Sequence, residues 1–122
     1  MYFLDTTFIV ELLVSTDQWH DSAVKIYNEI RKDELFISKL VIAETITILK
    51  NKLNTKDIRE IYRNLPHMFK IIDDSDFFDE AMDIFVKYYS EISFFDAMYI
   101  FLMKNENFDS DFDRVEGIIR IH

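Results

Sequence analysis

Short apolar runs alternating with stretches of helical spacing restrict this chain to a layered α/β fold, because parallel strands are joined by helical crossovers. Tyr2-Phe3-Leu4 is an apolar run that ends at Asp5, and after it Phe8, Ile9, Leu12 and Leu13 fall on one helical face. A second amphipathic stretch, from about Asp21 to Arg31, turns Ala23, Ile26, Tyr27 and Ile30 inward and leads into the run Leu35-Phe36-Ile37, closed by Ser38. From Leu40 to Lys52 the positions Leu40, Val41, Ile42, Ile46, Leu49 and Leu53 describe a helix with Glu44 inside it. Thr55 can cap the next helix, which is expected to stop near Asn64-Leu65-Pro66 before a third strand at Phe69 to Ile72. Ser75 is a candidate cap for a helix bearing Phe77, Phe78, Ala81, Met82, Ile84, Phe85, Tyr88 and Tyr89. Ser93-Phe94-Phe95-Asp96 resembles a capping box opening a helix that runs from Ala97 to about Lys104, apolar on all sides and so expected to be buried. Ile118 to Ile121 reads as a last strand. In such folds ligands gather at the carboxyl ends of the strands.

Composition narrows the function. At 122 residues a single domain spanning 1–122 is expected, and 49% hydrophobic residues with twelve Phe exclude a disordered chain. The lone glycine, Gly117, excludes the glycine-rich phosphate cradles of nucleotide-binding folds. No cysteine is present, so thiolate metal sites and thiol nucleophiles are excluded and a reducing compartment fits. The start MYFLDTT lacks a basic leader, and the longest apolar run, Ala97 to Met103, is too short for a membrane span; the expected location is the cytoplasm, with no membrane partner. A net charge of −9 argues against binding nucleic acid through a basic surface. An acidic enzyme acting on nucleic acid needs metal ions to make its site locally positive.

Three acids stand out by position. Asp5 ends a strand, Glu44 lies within an otherwise apolar helix, and Asp96 opens the helix expected to be buried. Brought together at one sheet edge they suit Mg²⁺ or Mn²⁺, which take oxygen ligands; without an ion, carboxylates 4–5 Å apart repel by roughly 3 to 4 kcal/mol per pair at an effective dielectric of about 20. Each acid also has an ordinary structural explanation: Asp5 as the cap of the helix beginning at Thr6, Glu44 as a surface residue, and Asp96 as the acid of a capping box. Their joint pattern favours a site. Glu44 carries most weight, since an acid placed among Val41, Ile42, Ala43, Ile46 and Ile48 is costly unless paired or coordinated. The run Asp109-Ser110-Asp111-Phe112-Asp113 is not an EF-hand, because Arg114 stands where glycine is needed and Arg120 where a bidentate glutamate is needed. It reads as an acidic turn, from which Asp109 or Asp111 is a candidate further ligand. His20, His67 and His122 lack metal-ligand spacing, and the aromatic stripe of Phe77, Phe78, Phe85, Tyr88 and Tyr89 reads as core or a dimer face.

The segments FLDTTFIVELL, VIAETITIL around Glu44, ISFFDAMYIFLMK around Asp96 and the closing FDSDFDRVEGIIRIH resemble, in order, the motifs of PIN-domain ribonucleases, and among them the VapC-type toxins of type II toxin–antitoxin pairs. The likeness covers nearly the whole chain. It implies a three-layer α/β/α sandwich with a short parallel sheet of four or five strands, and an RNA endonuclease dependent on Mg²⁺ or Mn²⁺ that cleaves phosphodiester bonds with a metal-activated water. By position Asp5, Glu44 and Asp96 match the family's core acids and Asp109 its fourth, with Asp111 beside it, while Thr7 and Ser93 match its hydroxyl positions. The implied partners are an RNA substrate, a cognate antitoxin protein and a second copy of the chain.

One departure from the family pattern bears on Asp109. Family members place a glycine turn and an apolar strand before the Phe-Asp that matches Phe108-Asp109, whereas only Asn105, Glu106 and Asn107 stand here, so the fourth strand is expected to be missing or trimmed. A helix from Asp96 to Lys104 rises about 13 Å, and five extended steps to Asp109 span at most about 17 Å. The expectation is that the helix ends a turn early, near Phe101 or Leu102, or that Asp109 is displaced from the site. The rival to a nuclease is therefore a catalytically weakened PIN-like module that acts by binding a protein or RNA. A further rival is an acidic interaction protein in which Glu44 is dispensable.

Overall fold

A computed structural model of the chain describes residues 2–88, 91–105, 112–115 and 118–121, with side chains described as far as residue 101. The run Tyr2–Leu4 forms β1, Leu35–Ser38 β2 and Lys70–Ile72 β3, each pair of neighbours parallel. Between β1 and β2 lie α1 (Thr6–Leu13) and α2 (His20–Ile30), and between β2 and β3 lie α3 (Lys39–Leu49) and α4 (Thr55–Met68). After β3 a 3-10 turn over Asp74–Phe77 leads to α5 (Phe78–Lys87), α6 (Phe94–Asn105), β4 (Phe112–Val115) and β5 (Ile118–Ile121). The sheet order is β3-β2-β1-β5-β4.

Alternation along the strands sorts the helices into layers. Leu4, Leu35 and Ile37 point to one face, where they bury Phe8, Ile9 and Leu12 of α1, Ala23 and Ile30 of α2, Val41 of α3 and Leu65 of α4. Phe3 points to the other face and packs on Tyr99 of α6, with Phe36, Ile72, Phe77 and Ile100 around them. The parallel register pairs Phe3 with Phe36, and their rings stack at 5.2 Å between centroids. Helix α5 covers α6 in turn through Ala81, Ala97 and Met98. The three-layer α/β/α sandwich expected from the sequence is thus formed, and α6 is central, with Ala97, Met98 and Tyr99 buried. None of the helices described is long and apolar enough to cross a membrane.

The sheet differs from a fully parallel one. β5 runs antiparallel to β1, pairing Leu4 with Ile118 and Tyr2 with Arg120, and β4 runs antiparallel to β5. Only two residues separate Val115 from Ile118, and a connection that short joins antiparallel strands alone. The place beside β1 is therefore taken by the chain's last strand, running antiparallel. Helix α6 continues to Asn105, which rules out the early ending near Phe101 or Leu102.

Several boundaries moved for identifiable reasons. Asn54, not Thr55, caps α4, its side chain accepting from the Asp57 amide at 2.9 Å. That helix runs past Pro66 to Met68, the proline falling in its last turn while the Phe69 amide closes on the Leu65 carbonyl. Asp73 rather than Ser75 caps the segment after β3, taking the Ser75 amide at 3.2 Å and its hydroxyl at 2.6 Å. Of the aromatic stripe, Phe77 and Phe85 are half-buried against α6, while Phe78 and Tyr88 are exposed. Tyr89 lies outside the described residues.

Candidate metal centre and its acid cleft

The carboxyl ends of the three parallel strands each hand over to a polar cap: Asp5 after β1, Ser38 at the end of β2, Asp73 after β3. β1 is also where the sheet's order reverses, since the chain runs from it to β2 and β3 on one side and returns to β5 on the other. Such switch points open a crevice at the strand ends. Here the crevice is a cleft of about 160 Å³ lined by Asp5, Thr6, Thr7, Glu44, Ser93, Phe95 and Tyr99.

Asp5 reaches the cleft as the cap of α1, one oxygen accepting from the Phe8 amide at 3.2 Å. Asp5 thus both caps α1 and lines the cleft: the strand end places it, and the cap orients it. Glu44 arrives from α3, one oxygen accepting from the Thr6 hydroxyl at 3.0 Å. Its exposure corrects the expectation that burial among apolar neighbours made it costly. α3 buries the stripe Val41, Thr45 and Leu49, and Glu44, about 100° round the helix from Thr45, faces the cleft instead.

Ser93 caps α6, its hydroxyl accepting from the Asp96 amide at 3.0 Å, so Asp96 holds the third position of the capping box that the sequence suggested. Asp96 is half-buried on the first turn of α6, next to the Phe95 wall, and is not among the residues lining the cleft. The Tyr99 hydroxyl donates to the Leu4 carbonyl at 3.4 Å, which fastens α6 to the end of β1 directly below Asp5. Asp109 and Asp111 lie outside the described residues. Phe112, the first residue of β4, pairs with Ile121 at the sheet end away from Asp5, because Arg120 already pairs with Tyr2.

The cleft lining contains two carboxylates, four hydroxyls and no basic side chain among the described residues. Among those residues no three His, Cys, Asp or Glu side chains stand together as a metal-binding group. An all-oxygen set with two carboxylates nevertheless fits Mg²⁺, which keeps several waters and is held through one or two carboxylates together with substrate phosphate oxygens.

Thr6, Phe95 and Tyr99 escaped the sequence reading. Thr7 was the hydroxyl singled out, and it does line the cleft, but its neighbour Thr6 holds Glu44. Two adjacent threonines after a strand-end acid were the available signal, and only the turn of α1 decides between them. The aromatic residues sit one before and three after Asp96, positions that read as core from periodicity alone.

The family model of the PIN domain matches residues 2–118. The chain belongs to the PIN-domain family. Its fold is similar to that of VapC20 from Mycobacterium tuberculosis, described as a toxin that cleaves the sarcin–ricin loop, with a TM-score of 0.71 and 20% identity over 86% of this chain and 82% of that one. No curated protein sequence matches the chain.

Proposed function

We propose that this chain is a metal-dependent RNA endonuclease, the toxin of a VapC-type toxin–antitoxin pair, acting in the cytoplasm. The observation that carries the reading is the meeting of Asp5 and Glu44 in one oxygen-lined cleft at the switch point of a PIN-domain sheet. Asp5 and Glu44 would hold Mg²⁺ or Mn²⁺, with Asp96, half-buried on the first turn of α6 outside the cleft lining, proposed as a further ligand. Such an ion supplies activation of a water and stabilisation of charge developing on a phosphodiester.

The chain's own residues do the rest. Asp5, held by the Phe8 amide, and Glu44, held by the Thr6 hydroxyl, keep their carboxylates in place before substrate arrives, so little reorganisation accompanies reaction. The acids also repel bare RNA phosphates, which makes binding conditional on the cation. Asp109 and Asp111 are proposed in subordinate roles. With α6 reaching Asn105, nine residues of helix past Asp96 rise about 13 Å, and four extended steps from Asn105 to Asp109 cover at most about 14 Å.

An antitoxin and a second copy of the chain are the proposed protein partners. The test is cleavage of end-labelled structured RNAs by the purified chain. Defined internal cuts with Mg²⁺ or Mn²⁺, lost with EDTA, support the reading; intact RNA beside a folded chain refutes it in favour of a PIN-like module that acts by binding.

A further inference from the structure

Asp74 is the one buried carboxylate among the described residues, 3% exposed, and nothing in the proposed chemistry uses it. A buried carboxylate is retained only against strong donors. Asp74 finds one in the Leu40 amide of α3, 3.2 Å from its Oδ2. Leu40 is in the first turn of that helix, where amides lack intrahelical partners and the helix dipole favours negative charge.

Capping alone does not account for the arrangement. α3 already has a local cap, the Ser38 hydroxyl accepting from the Val41 amide at 3.2 Å. Ser38 is contiguous with the helix and moves with it, whereas Asp74 lies 34 residues on, just past the end of β3. Its bond refers the start of α3 to the sheet. One turn further along, about 6 Å, Glu44 follows on nearly the same side of the helix. There the Thr6 hydroxyl ties it to the first turn of α1, next to Asp5. Beside these two directional bonds the helix is held by the buried stripe Val41, Thr45 and Leu49, whose packing is non-directional.

We infer that Asp74 is a positioning residue for the acid cleft, fixing the axial placement of α3 and through it the point at which Glu44 meets Asp5. This rests on the nuclease reading of the cleft. The neighbouring pair of Lys39 and Asp73, 3.1 Å apart and exposed at both ends, does not share the role and provides the control.

The experiment measures Mn²⁺ affinity by calorimetry, and kcat and KM on an RNA the wild type cuts, for the full chain and four variants. Asp74→Ala is expected to lose about tenfold in Mn²⁺ affinity and about tenfold or more in kcat, since small misplacements of a catalytic group are costly, with KM little changed. Asp74→Asn, which keeps an acceptor for the Leu40 amide, is expected to restore both. Asp73→Asn leaves both unchanged. Ile30→Val, in the core at the last turn of α2, lowers thermal stability but leaves both unchanged, which separates positioning from general loosening. If the alanine variant fails to fold, Asp74→Ser, which keeps an acceptor but is shorter, carries the same expectation of loss. Wild-type Mn²⁺ affinity and kcat in a folded Asp74→Ala, or equal losses in Ile30→Val, overturn the inference. A wild type that neither binds Mn²⁺ nor cuts RNA overturns the nuclease reading and the inference together.

Discussion

Replacing Asp5 first by Asn and then by Ala separates its two roles. Its cap bond to the Phe8 amide is one that Asn makes equally well, so Asp5→Asn preserves the start of α1. What the amide loses is a negative charge at a helix N-terminus, worth about 0.3–1 kcal/mol. Relief of repulsion from Glu44 in the metal-free cleft acts in the opposite direction. The net change is expected to lie within about 1 kcal/mol of zero, a shift in melting temperature of less than about 5 °C for a domain of this size. Asp5→Ala also removes the cap and is destabilised by about 1 kcal/mol more. Cleavage should fall by about a hundredfold or more in both, because neither side chain offers a carboxylate to the cation. Calorimetric melting and initial rates of RNA cleavage with Mg²⁺ are the assays. An Asp5→Asn variant that still cuts at the wild-type rate would reduce Asp5 to a helix cap and refute the reasoning; an Asp5→Asn that unfolds would do the same from the other side.

Other variants probe different parts of the structure. Thr6→Val removes the 3.0 Å bond to Glu44 while keeping the side chain's shape; since water can replace the hydroxyl at this exposed carboxylate, stability should change by less than about 1 kcal/mol while kcat/KM drops about tenfold, read by melting and kinetics. Phe3→Ala, which empties the ring's place between Phe36 and Tyr99, should cost about 3–5 kcal/mol in denaturant unfolding. Asp109→Asn should lower kcat/KM much less than Asp5→Asn does, because α6 runs to Asn105 and β4 enters the sheet at the end away from Asp5. The exposed Lys70–Glu34 pair holds the Glu34 carboxyl below its ordinary value through the hydrogen bond and charge of Lys70. A depressed carboxyl contributes stability above its unfolded pKa and loses it as pH falls through the folded one. The small stability difference between wild type and Lys70→Met should therefore be present at neutral pH and vanish as the pH falls below the ordinary glutamate range, followed by urea unfolding across pH.

Much of this architecture was legible before the structure because it rests on local pattern. Phe3 against Leu4, and Phe36 against Leu35 and Ile37, announce two buried faces by alternation. Ser93 and Asp96 announce a helix start by spacing. The elements that moved depend on tertiary competition instead. Glu44 was judged by its neighbours in sequence, but which side of α3 is buried is decided by the fit of Val41, Thr45 and Leu49 to the core. The antiparallel course of β5 follows from a connection of two residues after β4, a strand whose first two residues belong to the run Asp109 to Asp113 that reads as an acidic turn. At the site, the strand-end acid was recognisable, whereas Thr6 and Asp74 act through partners 38 and 34 residues away that no local pattern reveals.

The most direct test of the account is the location of Mn²⁺ by anomalous scattering in crystals of the wild-type chain grown with the ion. The account predicts an anomalous peak in the cleft with Asp5 and Glu44 oxygens as direct ligands. A peak elsewhere, or none at that cleft under saturating Mn²⁺, would contradict it.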